Sequence, residues 1–515
     1  MHAMKTRYLI WAKGVYLCLL TVYALLREVL AIQPIVGKSV ITYVFFCSGV
    51  LLVIAMVLCD KSTFHRKHLW LPVVFLVICC ISTIVNLRFD FLSNVKAIAW
   101  MMLYFMLLLT LQAESELEKR IFRWVFATAL ITMSFLVMVS LPMYFFNVDY
   151  TYVKPSGFVN NQGFSQQYMR LWGIFIDSNT SGTYSLVCIC LATYLFTMTK
   201  KLVVRVLIGF DAFILFLFMV LTNSRTALVA FFAAIVWFAV YVLFGEKHYC
   251  NRLRMIVGVL SAMCIIVVSC GSYYAVKFVV PYCKVFAQRM SMHQLDASVH
   301  RAYDWLFENS GLNITEGYYS VNHTSPEATQ TESTSVVTES TAESATSPDA
   351  TQTVFNAFEV EKLDRTDKKA DFSNGRFKKW KEVIEVFRHM PILGASPRGI
   401  SSAAKQINSN SSVAKFNFAA HNSFLEVLGG TGILGFVVVS AIMVKLAWII
   451  LKNLFLRRTS KELLLHSTVL LVMVCEMMLI SDVFFVLTFG GIGFWLSAGQ
   501  VFALVYRLEN TAEKE

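Results

Sequence analysis

Long apolar runs broken by short polar connections set the pattern of this chain. The runs are about 18–25 residues long, the length of helix that crosses a hydrocarbon core about 30 Å thick. They place spans at 8–26, 39–59, 69–86, 97–112, 121–146, 179–199, 203–222, 226–245, 254–280, 423–451, 463–486 and 488–507. In a bilayer every backbone N–H and C=O must be paired within the protein, so such runs are read as helices. The expected fold is an all-α polytopic membrane protein with about twelve transmembrane helices. The first run lacks a small-residue cleavage site and many more follow it, so it is read as a span and not as a signal peptide.

The polar connections differ in charge. Lys5 and Arg7, Lys61/Arg66/Lys67, Lys119/Arg120/Arg123, Lys200/Lys201/Arg205, Lys247/Arg252/Arg254 and Lys452/Arg457/Arg458/Lys461 fall in alternate connections, and Arg507 follows the last span. The positive-inside rule makes these cytoplasmic, with the N and C termini inside. The remaining connections, about 27–38, 87–96, 147–170, 222–225, 281–420 and 487–491, are then external. The net charge of +12 is therefore mostly topological. No compact basic domain carries aromatics on one face, so no nucleic-acid partner is expected. The cysteines lie mostly within spans and show no zinc-like spacing in a loop, so they read as small apolar residues.

Three regions result. Residues 1–280 hold the first nine spans, 281–422 form one large external loop between spans nine and ten, and 423–515 hold the last three spans and a short cytoplasmic tail. Within the loop, 324–353 is dominated by Thr, Ser, Glu and Ala, too poor in large apolar residues to offset chain entropy, and is expected to be a disordered spacer. Order resumes near Asn374, a candidate cap for a helix over about 375–390 that ends before Pro391. Phe377, Trp380, Val383, Ile384, Phe387 and Met390 recur there at helical spacing beside a basic face, a pattern suited to a helix on the membrane surface. Arg376 shares the apolar stripe, which suggests an anionic partner.

Few residues outside the spans offer chemistry. His421 stands in Ala420-His421-Asn422-Ser423-Phe424-Leu425-Glu426, where the loop meets the tenth span, and histidine titrates near neutral pH. With Ser423 as the N-cap, Ser423 to Glu426 reads as a capping box. His421 would then lie just outside a first turn whose unpaired N–H groups and dipole favour anions. The plainer alternatives are a structural Glu426 and an interfacial His421 with a local hydrogen bond. Arg225 is held at the outer boundary by the short turn Leu221–Thr226, where it can meet an anion or snorkel to headgroups. Arg170 precedes Leu171–Asn179, the external approach to the sixth span, in which Asp177 can pair with it. Arg398, on the tight turn Gly394–Gly399, reads as structural or peripheral. Arginine's forked donors suit a diphosphate, and a neutral histidine suits removal of a hydroxyl proton. The sequence shows no Walker loop, dinucleotide fingerprint, HExxH or external carboxylate pair at metal-site spacing, so no cofactor or metal is expected. Nucleotide donors are unavailable outside a cell, whereas a donor already attached to a lipid diphosphate is available there.

Four short motifs follow in order: Arg170-Leu171-Trp172-Gly173-Ile174-Phe175 with Asn179; Asn223-Ser224-Arg225; Gly375-Arg376 with Trp380 and Pro391-Ile392-Leu393-Gly394; and His421-Asn422-Ser423-Phe424-Leu425 with Gly432 and Gly435. Together they resemble the O-antigen ligase and Wzy-type polymerase family of bacterial membrane proteins. Ser178 departs from that family's proline, and the Ser/Thr-rich insert interrupts the large loop. The resemblance implies metal-independent, inverting glycan transfer on the external, periplasmic face of a bacterial cytoplasmic membrane. The donor would be an oligosaccharide on undecaprenyl diphosphate, alongside a glycan acceptor and other polysaccharide-assembly proteins. His421 would be the general base, and Arg225, Arg376 and Arg170 would hold the diphosphate. Asn422, Glu426, Arg398 and Trp380 would support them. The favoured expectation is polymerisation of repeat units of a surface polysaccharide. The ligase, which transfers finished glycan to a lipid A core or another acceptor, is the near alternative. A lipid-linked glycan flippase is more remote, because the halves show no internal repeat.

Overall fold

The computed structural model describes residues 2–37, 39–59, 69–111, 115–153, 159–245, 252–289, 293–310, 314–316, 375–416, 420–456, 460–480 and 483–512. Its helices are α1 (His2–Leu26), α2 (Gln33–Val36), α3 (Ser39–Cys59), α4 (Trp70–Val85), α5 (Phe91–Leu103, continued as a π-helical turn over Tyr104–Leu108) and α6 (Glu116–Phe145). They continue as α7 (Ser178–Met198), α8 (Leu202–Leu221), α9 (Arg225–Gly245), α10 (Arg252–Arg289) and α11 (His293–Glu308). The last group is α12 (Arg376–His389), α13 (Ile400–Ile407), α14 (Ser412–Phe416), α15 (Ser423–Phe455), α16 (Lys461–Leu479) and α17 (Phe489–Ala512). Among the described residues ten helices are long and apolar enough to cross a bilayer. Two shorter apolar helices, Trp70–Val85 and Phe489–Leu504, stand at the places of the third and twelfth expected spans. The chain is a mostly helical, multi-pass membrane protein.

Two expectations need correction. The fold is not all-α: strands β1 (Asp149–Val153), β2 (Val159–Ser165), β3 (Arg170–Gly173) and β4 (Ile314–Glu316) form an antiparallel sheet in the order β3-β2-β1-β4. The reason is local composition. Tyr150-Thr151-Tyr152-Val153 sets aromatic and β-branched residues side by side, and these favour a pleated, half-buried surface. β4 comes from the far side of α11 and pairs Ile314 with Tyr152 and Glu316 with Tyr150. The ninth span also does not stop at residue 280, because α10 continues through Pro281 to Arg289. Lys284 can stay buried in that extension because its ammonium lies 4.2 Å from the Phe164 ring centroid and 4.9 Å from that of Tyr144.

The helix over 376–389 is present, but its apolar stripe meets protein. Asn374 lies outside the described residues, and the cap position is Gly375, at φ 75°. Val383 and Val386 are buried in a small second core with Ala395, Ile400, Ala403 and Ala420, and Trp380 packs against it. Phe377 alone of the larger stripe residues is strongly exposed.

That core is locked to the bundle by a glycine interlock. α15 is broken at Gly432, whose φ of 65° and ψ of −165° are not helical. The segment Pro391–Gly394 fills the break. Ala395 N–H donates to Gly429 O (2.8 Å), Ile433 N–H to Pro391 O (2.8 Å), and Ser82 Oγ to Leu393 O (2.6 Å). Asn86 Nδ2 on the cap of α4 adds a bond to Gly394 O (3.0 Å). A Cβ at Gly394 would sit 2.5 Å from Gly432 N, and one at Gly432 would sit 2.3 Å from Ile392 O. Only glycine permits this approach of two backbones.

Candidate active site

His421 sits at the start of α15. Asn422, not Ser423, is the N-cap: its Oδ1 accepts the N–H of Phe424 (3.0 Å) and of Leu425 (3.1 Å). The expected capping box is therefore replaced. Glu426 falls one position beyond the box and instead accepts the N–H of Ala420, bending the chain back under the helix start. This tuck leaves His421 in the left-handed region, at φ 52°. Asn147, Met169, Asn223, Asp90 and Ser396 are the other described non-glycine residues with positive φ. Such strained positions collect at functional sites more often than elsewhere.

The imidazole is oriented and kept neutral. Nδ1–H donates to Ile480 O at the end of α16 (3.3 Å), which leaves the Nε2 lone pair able to accept a proton. Burial holds its pKa below the ordinary 6.5, at about 4; Lys379 and Arg376 push the same way, while Asp177 and the Ile480 carbonyl push it up. Lys379 is itself lowered, by burial first and then by Arg376, with Glu382 opposing. Arg376 and Lys379 lie three residues apart on α12, and so on one face. Trp380 Nε1–H donates to Ala420 O (3.0 Å), tying that face to the residue before His421.

A second cluster meets it from β3. Arg170 is 5% exposed. Its Nε–H donates to Thr222 O (2.9 Å) and a terminal N–H to Asn179 Oδ1 (2.5 Å). Ser224 Oγ donates to the same Asn179 oxygen (3.0 Å), which fixes the turn that starts α9 at Arg225. Asp177 Oδ1 accepts the backbone N–H and the Nδ2–H of Asn179, both at 3.0 Å. Arg170 thus reaches Asp177 through Asn179. Asp177 also caps α7, and Ser178 takes the first helical position, where proline is favoured because its missing N–H is not needed. Asp177 is the charge that links this cluster to His421. Arg170, Arg225 and Arg398 are not among the charges that perturb His421. Arg398 has an exposed side chain, and Asn94 Oδ1 holds its backbone N–H at 2.7 Å.

Residues 210–440 match the O-antigen ligase family. The chain carries an O-antigen ligase domain. No curated protein matches it. The O-antigen ligase domain runs from within α8 to within α15 and contains Arg225, Arg376, Lys379, Trp380, Arg398, His421, Asn422 and Glu426. Arg170, Asp177, Asn179 and Ile480 lie outside the match and reach it through the contacts above.

The sequence pointed to Arg376 but not to Lys379, although the same three-residue spacing places Lys379 beside it. Glu28 gave no signal beyond following a span. It arrives because Leu30 N–H donates to Ile174 O (3.0 Å) and Ile176 N–H to Glu28 O (2.8 Å), which zips 28–30 onto the approach to α7. Burial raises Glu28 to about 7, against the pull of Arg27 and with a push from Asp177.

Proposed function

We propose that this end of the bundle transfers a glycan from a lipid diphosphate to a hydroxyl, on the external face of a bacterial cytoplasmic membrane. The O-antigen ligase domain supports a ligase- or polymerase-like role. The observation that carries the chemistry is a neutral His421, its Nδ1–H spent on Ile480 and its other nitrogen basic, beside Lys379 and Arg376. In the proposed step Nε2 takes the proton of the acceptor hydroxyl as its oxygen bonds to the anomeric carbon. The bond from that carbon to the diphosphate breaks, and the electron pair leaves on the diphosphate oxygen. One displacement of this kind inverts the anomeric centre. Arg225, Arg376 and Lys379 stabilise the departing charge. Arg170, buried and bonded to Thr222 and Asn179, holds the Arg225 turn and the Asp177 cap in register.

The favoured acceptor is a further repeat unit of a surface polysaccharide, which makes the protein a polymerase. The second reading is a ligase that passes finished glycan to a lipid A core or other acceptor, and the family match supports either role. Gene deletion followed by gel analysis of the surface glycan separates them. Single-repeat products are expected for the polymerase, and long polymer stranded on the carrier lipid supports the ligase. An unchanged glycan overturns both.

A further inference from the structure

We propose that the β2–β3 hairpin is a glycan subsite, with Trp172 and Tyr168 as the platform for one sugar ring and neighbouring amides as its hydroxyl readers. This rests on the glycan-transfer reading and adds to it the place where the sugar binds. The hairpin is unlike the aliphatic spans around it. Between Asn160 and Trp172 it carries Asn160, Asn161, Gln162, Gln166, Gln167, Tyr168 and Trp172, and just one charged residue, Arg170. The Tyr168 and Trp172 rings stand 6.1 Å apart at 71°, both half-buried. The Arg170 guanidinium carbon lies 5.1 Å from the Trp172 ring centroid, so the indole is pinned by a buried residue of the candidate site.

The hairpin is also built rigidly. Met169, at φ 47°, donates its N–H to Gln166 O (3.2 Å), and Gln166 Nε2–H donates to Asn147 Oδ1 (2.9 Å). Asn223 Nδ2–H donates to Met169 O (3.2 Å), fastening the tip to the turn that holds Arg225. Gln167 is exposed at that tip.

The chemistry fits an uncharged polyol. A pyranose offers a face of C–H groups to an aromatic ring and adjacent hydroxyls to a planar amide, which has a donor and an acceptor side by side. A lipid headgroup would call instead for cations facing outward. A ring on Trp172 therefore lies beside Arg170, the residue that holds the turn starting α9 at Arg225. It belongs either to the donor's repeat unit or to the acceptor chain.

The test uses detergent-purified full-length protein and two probes: the free repeat-unit oligosaccharide cleaved from the host's own polysaccharide, and undecaprenyl diphosphate without sugar. Trp172→Ala is expected to weaken oligosaccharide binding about tenfold, with Trp172→Phe keeping most of it. Gln167→Ala, at the exposed tip, is expected to weaken it a few-fold. Binding of undecaprenyl diphosphate should be unchanged in all three. In turnover, a rise confined to the KM for the lipid-linked donor assigns the ring to the donor. A rise confined to the acceptor KM assigns it to the acceptor, and either supports the subsite. Wild-type oligosaccharide binding that both alanine variants retain overturns it and leaves the aromatic pair as a membrane-interface anchor. A wild-type protein that binds undecaprenyl diphosphate but no oligosaccharide also overturns it. A wild-type protein that binds neither probe overturns the glycan-transfer reading as well.

Discussion

A neutral imidazole is the working state of a general base, and His421 is held in it by three separate means: burial, the Lys379 charge and the Arg376 charge. Its protonated form is disfavoured until about pH 4, so the free base persists well below the ordinary 6.5. The acidic limb of kcat/KM for the free enzyme is expected near pH 4. The limb of kcat should lie higher, because a bound diphosphate adds negative charge that favours the imidazolium. Lys379→Met removes a charge that lowers the pKa and should move the kcat/KM limb up. Asp177→Asn removes one that raises it and should move the limb down. Limbs that do not move in opposite directions in a pH-rate series count against His421 as the base. His421→Ala should reduce kcat by about 10²–10⁴, with binding of undecaprenyl diphosphate retained; full turnover at equal protein level would rule the base out. For stability the sign is also fixed. Between about 4 and 6.5 the unfolded chain binds the proton that the folded site refuses, so this group's contribution to stability falls as pH drops through that window and is level above it. The histidine itself was legible in the sequence, from its place at a span mouth and from the motif around it. Its tautomer was not, because Ile480 is 59 residues away.

Elements position these residues through two backbones packed without side chains between them. Gly394 and Gly432 each combine a positive φ with a backbone atom at 2.5 Å or less from any added Cβ, so neither strain nor clash can relax independently. Gly432→Ala and Gly394→Ala should each cost on the order of 3 kcal/mol or more and abolish turnover by shifting α12 away from His421. Gly375→Ala is the control. Its φ is also positive, but nothing lies within 4 Å of an added Cβ, so it should cost only about 1–2 kcal/mol. Apparent melting temperatures in detergent rank the three, and equal losses would mean that backbone conformation alone explains them. The sequence displayed both halves of this interlock, Pro391–Gly394 and Gly429–Gly435, as separate glycine motifs. No local rule joins segments about 40 residues apart, so their contact stayed hidden, as did the pairing of β4 with β1 across α7 to α11. Periodicity did find α12. It did not name the partner of the stripe, since an apolar face looks the same whether it meets lipid or Ile400.

At the scale of the whole molecule, apolar run length exposed the bundle, because a bilayer leaves helices few alternatives. The Ser/Thr-rich stretch 324–353, which falls outside the described residues, can be judged by its flanks. On one side β4 is fixed by pairing with β1; on the other α12 is fixed by the interlock and by Trp380 on Ala420. Neither anchor uses any residue of 324–353. With that stretch removed, about 28 residues still separate Glu316 from Gly375, a reach of roughly 90 Å when extended. That exceeds the length of any helix in the bundle, and halving the length of a connection lowers its closure cost by only about 0.6 kcal/mol. Deleting 324–353 should therefore leave the apparent melting temperature and the rate of glycan transfer within about twofold of the intact chain. If the deletion protein folds with an unchanged melting temperature but loses transfer, the stretch takes part in substrate capture, and the account of the site built from α12, α15 and β3 lacks a component.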